Sequence, residues 1–352
     1  MAALLEIDGL TVDFATEDGV VHAVRGVSLD VNAGQMLGVV GESGSGKSVT
    51  MLTVMGLTRG PGTTIGGTAK FDGRDLLTMP GDELRRIRGN EIAMIFQDPL
   101  SSLHPFYKVG AQLIEAIQAH RNVRKGEARE RSIELLRMVG IPDPAGRVDS
   151  YPHEFSGGMR QRAMIAMALA NDPKVLIADE PTTALDVTVQ AQILDLIARL
   201  QRELNMAVVL ITHDLGVVAE HTHHIAVMYA GEAIEEAPTD VMFDSPSHPY
   251  TWGLLQSIPR LDRSRDEPLI PIPGLPPSLI SPPGGCGFHP RCPYVRERHR
   301  RVHPELEPVP DHPEHRVACL LDEPTRRRLW EELKRGEVPE AARQKVGLKD
   351  SA

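Results

Sequence analysis

A glycine-rich segment with a single lysine is the feature of this sequence that most directly predicts chemistry. Residues 41–48, GESGSGKS, fit the pattern GxxxxGK[ST]. In such a segment successive backbone N–H groups turn towards phosphate oxygens, Lys47 adds a point charge at the β- and γ-phosphates, and the Ser48 hydroxyl can bind Mg²⁺. A merely flexible Gly/Ser loop fits less well, because an apolar run precedes the segment and a helical pattern follows it. The predicted phosphate-binding residues are Gly41, Ser43, Gly44, Ser45, Gly46, Lys47 and Ser48.

Two neighbouring carboxylates end a second apolar run. Asp179 and Glu180 follow residues 175–178, Val-Leu-Ile-Ala. Carboxylates at the end of a buried strand are costly unless something positive lies beside them. With Mg²⁺ there, Asp179 would bind the ion directly or through its water, and Glu180 would orient or deprotonate an attacking water. The alternative is that the two acids only cap the next segment, and the lysine segment favours the metal.

A second anion-competent helix start lies at Ser156, Gly157 and Gly158. Serine and glycines before a helix rich in Ala and Met leave backbone N–H groups pointing outwards, where the helix dipole favours an anion. The alternative is an ordinary N-cap. One nucleotide does not need two such sites in one monomer. The second site is therefore predicted to serve the nucleotide of a partner chain.

The elements that must position these residues alternate between strands and helices. Short apolar runs bounded by polar residues favour buried parallel strands, and longer periodic segments favour helices. Strands are predicted over 5–14, 22–31, 36–40, 92–96, 175–178 and 208–212, and helices over 48–57, 109–121, 127–139, 158–170 and 188–204. This alternation predicts an α/β sheet. The helices between 110 and 170 have no strands among them, so they are predicted to form a separate lobe.

Composition bounds the class of protein. The 352 residues carry a formal net charge of −10, which makes the chain a poor default binder of nucleic acid. Its apolar runs are shorter than the roughly 20 residues that span a membrane, and the N-terminus has no basic segment typical of a secretory signal. Three cysteines, all in the last quarter, do not make a disulfide framework. A cytoplasmic protein is predicted.

Proline usage predicts two domains. Of the 28 prolines, 9 lie before residue 238 and 19 lie from there on, so the last third is expected to hold few long regular elements. The predicted division is a domain over 1–235, with the helical lobe at about 98–170, and a Pro-rich irregular extension over 236–352. Within its last part, 325–352, whose role is left open, residues 325–346 are interpreted as a solvated helix.

Six motifs in this order resemble the ATP-binding subunits of ABC transporters. The lysine segment resembles their Walker A motif, LIADE their Walker B motif, and FSGGM at 155–159 is similar to the LSGGQ signature, although Phe155 and Met159 replace Leu and Gln. The match covers about residues 4–235. The resemblance implies an ABC ATPase cassette, an α/β fold in which a parallel-sheet P-loop core carries an antiparallel β subdomain and a helical lobe.

The resemblance also implies roles for single residues. Phe14 would stack on adenine, Gln97 would link Mg²⁺ and water to the helical lobe, and His213 would sense the γ-phosphate. Glu180 would be the general base, and Asp186 ends the D-loop Ala184-Leu-Asp186. Two such chains would meet head to tail, each nucleotide lying between the lysine segment of one chain and residues 156–158 of the other. ATP and Mg²⁺ are thus the implied substrate and cofactor.

The region 154–194 and the tail that begins SHPYT at Ser247 look like the D-type ATPases of oligopeptide and dipeptide importers. Such proteins usually pair with an F-type ATPase beneath two membrane permeases, which a peptide-binding protein supplies, at the cytoplasmic face of the inner membrane. The apolar loop after Gln97 would meet the permeases. Nickel and glutathione importers share the pattern and stay open as alternatives.

A non-transport ABC ATPase acting on DNA or ribosomes is the alternative from another class. Such proteins show tandem cassettes, a long coiled-coil insertion, zinc modules or a basic surface. This chain has one cassette, no sustained heptads and a net charge of −10. Transport is therefore the favoured function, with no nucleic-acid partner.

The three cysteines form a pattern of their own. The segment CGFHPRC places Cys286 six residues before Cys292, and Cys319 follows. It resembles a four-cysteine [4Fe–4S] motif of D-type peptide ATPases, with His299 where the third cysteine is expected. Three interpretations stay open: a [4Fe–4S] cluster on these four residues, a Cys₃His zinc site, or free thiols. Further nitrogen donors are available at His289, His303 and His315.

Overall fold

The computed structural model describes residues 3–97, 103–182, 186–257, 271–310 and 312–348. Within them the chain forms two sheets, one with four strands in the order β2-β1-β4-β5 and one with eight in the order β11-β12-β10-β9-β3-β8-β7-β6. Each described helix is too short or too polar to span a bilayer. The predicted α/β fold is confirmed.

The four-stranded sheet is antiparallel throughout. Its strands are β1 (Leu5–Thr16), β2 (Gly19–Val31), β4 (Thr63–Phe71) and β5 (Arg74–Asp75). Alternate apolar side chains of β1 and β2, such as Leu5, Leu10 and Val24, are buried in one core. The sequence does not predict β4, because Gly66, Gly67 and the threonines of this strand give little strand pattern.

The eight-stranded sheet has a parallel centre. Its strands β3 (Met36–Val40), β6 (Ile92–Ile95), β7 (Val175–Asp179), β8 (Ala207–Thr212) and β9 (His224–Tyr229) are parallel neighbours. Parallel strands end at the same edge of a sheet. This register therefore brings the lysine segment after β3, Gln97 after β6, Asp179 and Glu180 at the end of β7, and His213 after β8 to one edge.

Helices cover this sheet and build the lobe. The sheet carries α1 (Lys47–Val54), α2 (Gly81–Ile87), α7 (Val187–Leu204) and α8 (Leu215–His221). The lobe consists of α3 (Val109–Gln118), α4 (Lys125–Met138), α5 (Pro144–Arg147) and α6 (Gly157–Ala168). Apolar residues of α3, α4 and α6 share one core with the eight-stranded sheet, so the lobe is packed onto the sheet.

The C-terminal extension is more regular than its proline content predicts. It contains the helices α9 (Thr239–Asp244), α10 (Pro249–Gln256), α11 (Glu297–Arg301), α12 (Glu323–Lys334) and α13 (Pro339–Val346). Three antiparallel strands, β10 (Glu232–Pro238), β11 (Glu307–Val309) and β12 (His312–Val317), continue the eight-stranded sheet. The expectation of few regular elements is wrong because prolines open helices α10, α12 and α13 at their first turns, where no N–H is lost.

The tail is also more than a solvated helix. Leu329, Trp330 and Leu333 of α12 are buried in a hydrophobic cluster with Trp252 and Tyr294. The rings of Trp252 and Trp330 are stacked with centroids 6.4 Å apart. The i, i+4 spacing of Leu329 and Leu333 places both on one helix face. The extension therefore has a small core of its own.

A buried carboxylate holds the start of the extension. Glu235 of β10 is fully buried and accepts hydrogen bonds from the backbone N–H groups of Ser247 and His248, the latter at 3.0 Å. His315 Nε2 of β12 lies 2.8 Å from the same carboxylate. His248 in turn caps α10, because its Nδ1 accepts the Tyr250 N–H at 3.0 Å. One side chain thus links β10, β12 and α10.

This arrangement predicts that acid destabilises the protein. Burial lowers the pKa of His248 from 6.5 to about 4, although the carboxylate of Glu235 opposes the shift, and Arg326 and His299 lower the pKa further. The unfolded chain therefore takes up the proton first as the pH falls through 6.5, and at about pH 5 the folded state loses about 2 kcal/mol. His248→Asn keeps a capping acceptor and cannot be protonated. Urea unfolding at about pH 7.5 and 5 is expected to show a smaller acid loss for the variant, and an equal loss would contradict the assignment.

Candidate active site

The lysine segment forms a tight loop between β3 and α1. Gly41 has φ +155°, and a Cβ on it would lie 2.2 Å from the backbone oxygen of Met228. Gly46 has φ +98°, and a Cβ there would lie 2.6 Å from the Ala23 carbonyl oxygen. Both contacts are shorter than any real Cβ makes, so the loop keeps this course only with glycine at the two positions. The backbone is thereby held against β9 at the start of α1.

Lys47 is the first residue of α1, and its buried side chain reaches back to the loop. Its Nζ donates hydrogen bonds to the carbonyl oxygens of Gly41, at 2.7 Å, and Glu42, at 2.9 Å. Burial lowers the pKa of Lys47, and the carboxylates of Glu180, Asp179 and Glu42 oppose that shift. The ammonium group is thus held beside the loop backbone, and the carboxylates around it favour its charged form.

Ser48 and Asp179 form a pair of oxygen donors. The Ser48 hydroxyl donates to Asp179 Oδ1 at 2.8 Å, although the two residues are 131 positions apart. Burial raises the pKa of Asp179, the hydrogen bond from Ser48 lowers it, and the neighbouring Glu180 raises it again. A buried carboxylate beside a hydroxyl oxygen is a donor set that Mg²⁺ accepts. These two residues, with Gln97 close by, fit the ion that the sequence predicts.

Glu180 is the point where the predicted residues converge. Its backbone has φ +45°, an uncommon value for a non-glycine residue, and its N–H donates to the Ile211 carbonyl at 3.0 Å. Gln97 Nε2 donates to Glu180 Oε2 at 3.0 Å, and His213 Nδ1 lies 3.4 Å from Oε1. The strained backbone turns the carboxylate towards these two side chains. Side chains from the ends of β6 and β8 therefore meet the carboxylate at the end of β7.

Three further predicted residues, Ser156, Asp186 and Phe14, make their described contacts within other elements. Ser156 caps α6, where its hydroxyl accepts the Met159 N–H at 3.3 Å, and both Ser156 and Gly157 are exposed while Gly158 is half-buried. Asp186 is exposed and caps α7 by accepting the Val189 N–H at 3.0 Å. Phe14 is a half-buried residue of β1, packed against the core of the four-stranded sheet. Of the predicted D-loop, 184 and 185 lie outside the described residues.

Two residues that contact the loop, Arg291 and Tyr250, are not predicted from the sequence. Arg291, between the first two cysteines, forms a bidentate ion pair with Glu42 at 2.6 and 3.0 Å. The hydroxyl of Tyr250 accepts the Glu42 N–H at 2.9 Å. No local pattern signals these contacts, because 249 and 208 positions separate the partners. The extension thus reaches the phosphate-binding loop directly.

The predicted metal cluster at the cysteines is not confirmed. Across the described ranges, which include all four proposed ligands, no group of three or more His, Cys, Asp or Glu side chains is placed to hold a metal ion. His299 Nδ1 accepts the Arg296 N–H at 2.9 Å, and its contact with Cys286 is a backbone one, in which the Cys286 N–H donates to the His299 carbonyl at 2.9 Å. Burial raises the pKa of Cys286, Cys292 and Cys319, which favours neutral thiols. The described residues therefore give no support to the [4Fe–4S] interpretation or to the zinc interpretation.

A groove opens between the sheet edge and the helical lobe. It has a volume of about 480 Å³ and is lined mainly by apolar residues of β6, α3 and α6, among them Ala93, Phe96, Ala116, Met164 and Met167. The Phe96 side chain is exposed although it is large and apolar. Gln97 follows Phe96 directly, so the groove begins next to the edge where Glu180 lies.

Comparison with known proteins finds relatives along nearly the whole chain. Residues 24–183 match the family model described as ABC transporter, and residues 234–298 match the one described as oligopeptide/dipeptide transporter, C-terminal region. The chain is 49% identical over 321 residues to the dipeptide transport ATP-binding protein DppD of Escherichia coli, covering 91% of this chain and 98% of that protein. It is 48% identical over 344 residues to the oligopeptide transport ATP-binding protein OppD of Bacillus subtilis, covering 97% and 94%.

The fold of this chain is also similar to that of a solved ATP-binding cassette. The ATP-binding cassette MJ0796, described as a dimer in a post-hydrolysis state bound to ADP and Pi, superposes with a TM-score of 0.60 at 27% identity. The superposition covers 67% of this chain and 98% of that one. The remaining third of this chain has no counterpart in the smaller cassette.

Proposed function

Because this chain belongs to the ABC transporter ATP-binding proteins of the oligopeptide/dipeptide type, we propose that its loop at 41–48 binds MgATP and that a second ATPase subunit completes the site. The protein is an ABC-type ATPase, the ATP-hydrolysing subunit of a peptide importer, and works with membrane permease subunits. The convergence of Lys47, Asp179 and Glu180 with Gln97 and His213 at one sheet edge is the observation that carries the proposal.

The chemistry follows from these side chains. Lys47 and the loop N–H groups bind the β- and γ-phosphates, and Ser48 and Asp179 would hold Mg²⁺, which neutralises phosphate charge when bound. Glu180 accepts a proton as the water oxygen bonds to the γ-phosphorus and the bond to the ADP oxygen breaks. The proton then leaves on the released phosphate. Gln97 and His213 position the Glu180 carboxylate, as their contacts at 3.0 and 3.4 Å support.

The proposed completion by a partner rests on the exposed start of α6. Ser156 and Gly157 are exposed at the N-terminus of α6 in the helical lobe. Backbone N–H groups at a helix N-terminus favour binding of an anion such as a phosphate. We propose that these groups contact the γ-phosphate bound by a neighbouring ATPase. In a peptide importer that neighbour is the F-type homologue, arranged head to tail with this chain. A site shared in this way would be complete, and shielded from bulk water, only when both subunits close around the nucleotide and the attacking water.

A substitution at Ser156 separates the two sites. Ser156→Arg is expected to leave the MgATP affinity of the isolated chain within about twofold of wild type, while ATPase activity of the assembled importer falls by about tenfold or more. Asp322→Arg is the matched control, since Asp322 caps α12 in the same manner by accepting the Thr325 N–H at 2.9 Å. A loss of MgATP affinity of about tenfold in the isolated Ser156→Arg chain would place Ser156 in the nucleotide site of its own chain. That result would contradict the head-to-tail proposal.

The groove beside Gln97 supports the docking of a permease. Its apolar lining and the exposed Phe96 suit a short amphipathic helix from a cytoplasmic permease loop. Because Phe96 is next to Gln97, and Gln97 contacts Glu180, movement of a helix docked in the groove would be transmitted to the Glu180 carboxylate through Gln97.

We propose accordingly that the chain lies at the cytoplasmic face of the inner membrane, with a peptide-binding protein supplying cargo on the other side. A metal cluster is not part of this proposal, because the cysteines and His299 are not arranged to hold one.

A further inference from the structure

The phosphate-binding loop is held from outside by a residue of the C-terminal extension. Arg291 Nη1 and Nη2 donate to Glu42 Oε2 and Oε1 at 2.6 and 3.0 Å. Only 4% of the Arg291 side chain and 28% of the Glu42 side chain are exposed. A bidentate, largely buried pair has a defined geometry, unlike a mobile surface ion pair. We call this pair the Arg291–Glu42 clamp.

The clamp is fixed on the extension side. Arg291 Nε donates to the Pro273 carbonyl at 2.8 Å, and Nη1 lies 3.4 Å from the Tyr229 hydroxyl. Burial alone would lower the pKa of Arg291, but the hydrogen bonds to Glu42 and Tyr229 outweigh it and raise the pKa. The guanidinium is therefore a permanent charge in a set position.

A second contact fixes the backbone of the same loop residue. The Glu42 N–H donates to the hydroxyl of Tyr250, whose ring packs on those of Tyr229 and Phe288 with centroids 4.7 and 5.4 Å apart. The carbonyl of Glu42 meanwhile accepts a hydrogen bond from Lys47 at 2.9 Å. The side chain, N–H and carbonyl of one residue thus connect the extension to the lysine that faces the phosphates.

The charge of the clamp matters as well as its geometry. The pKa of Lys47 is lowered by burial, and the negative charge of the nearby Glu42 carboxylate opposes this shift. The electrostatic field of Glu42 therefore reaches the lysine. Without a partner, that carboxylate would repel the triphosphate anion that the loop binds. Arg291 neutralises the Glu42 carboxylate at a largely buried position, where water screens its charge poorly.

We infer that Arg291 is a positioning residue for nucleotide binding, through which the C-terminal extension sets the affinity of the loop for MgATP. The inference rests on the proposed function of the loop. It differs from that function in assigning part of the affinity to a segment beyond the cassette motifs. Folding of the extension and nucleotide binding would then be coupled, since each orders the same residue, Glu42.

The test is a double-mutant cycle on the full-length chain with MgATP as the probe. Arg291→Gln is expected to weaken MgATP binding to the chain about tenfold and, in the assembled importer, to raise KM with kcat changed less than about twofold. Adding Glu42→Gln removes the unpaired carboxylate, so the double variant is expected to bind within about threefold of Glu42→Gln alone. Arg291→Lys, which keeps the charge without the bidentate geometry, should lie between wild type and Arg291→Gln and serves if the glutamine variant does not fold.

Arg316→Gln is the matched control. It also removes an ion pair between the extension and a glutamate of β10, with Arg316 Nη1 3.5 Å from Glu236, but it does not touch the loop. Its MgATP affinity is expected to equal that of wild type. Additive losses in the cycle, or an equal loss in Arg316→Gln, would overturn the inference. A Lys47→Ala variant that still binds MgATP would instead overturn the proposed function, so the two failures are distinguishable.

Discussion

Glu180→Gln is expected to reduce ATP turnover by about a thousandfold while MgATP binding stays within a few-fold of wild type. The amide keeps the size of the side chain and a partner for Gln97, but it cannot accept the proton of the attacking water. General base catalysis contributes about 10² to 10⁴ in rate, so its loss should dominate the effect. Phosphate release by the assembled importer gives the turnover, and equilibrium binding gives the affinity.

The same variant should accumulate the ATP-bound closed assembly, because binding occurs and hydrolysis does not. Size-exclusion chromatography with MgATP measures this accumulation. Glu91→Gln is a suitable control, since Glu91 pairs with Arg74 at 3.0 Å and directly precedes β6, at the amino end of the strand and opposite the carboxyl end near Glu180. Turnover of the Glu180 variant within about tenfold of wild type would remove Glu180 from the role of general base.

Lys47→Ala is expected to weaken MgATP binding on the order of a hundredfold or more. Truncating one partner of a buried, hydrogen-bonded charge pair costs about 2 to 5 kcal/mol, and the triphosphate is the partner here. Lys47→Arg should not restore the affinity, because the wider guanidinium does not fit the space beside the carbonyls of Gly41 and Glu42. Equilibrium binding of a labelled ATP measures both variants.

Thermal unfolding separates this loss from damage to the fold. Without nucleotide, Lys47→Ala should melt close to wild type, because the variant also removes the cost of burying an ammonium group. Excess MgATP should raise the Tm of wild type and leave that of the variant unchanged. Lys174→Ala, at an exposed lysine paired with Asp72 and Glu91, should keep the full shift. A normal shift in Lys47→Ala would contradict the assignment of the loop.

The parts of the site that the sequence predicts are those in which type and spacing are local. Lys47 and Ser48 belong to one short motif, and Asp179 and Glu180 directly follow an apolar run. Because the strands before these residues are parallel, their ends had to meet at one edge, and the contacts of Glu180 with Gln97 and His213 confirm that meeting. Their roles in hydrolysis stay predictions until the variants above are measured.

The parts that the sequence does not predict depend on contacts between distant segments. Arg291 looks like a residue of a cysteine motif until the fold places it on Glu42, and 249 positions of chain separate the two. The strand β4 was missed because its pairing with β1 compensates for a weak pattern. The cysteine spacing suggested a metal, yet within the described ranges the fold places no group of three or more His, Cys, Asp or Glu side chains where they could hold one.

The two stacked tryptophan side chains make intrinsic fluorescence a probe of the C-terminal extension. The protein has two tryptophans, and both Trp252 and Trp330 lie in the cluster formed by α10 and α12, where each Nε1–H donates to a backbone carbonyl at 2.8 Å. Intrinsic tryptophan fluorescence consequently reports on the extension and is silent on the sheet that binds nucleotide. A change in tryptophan emission on adding MgATP would therefore report a structural change transmitted from the phosphate-binding loop to the extension. The contact of Arg291 with Glu42 is a direct route for that transmission.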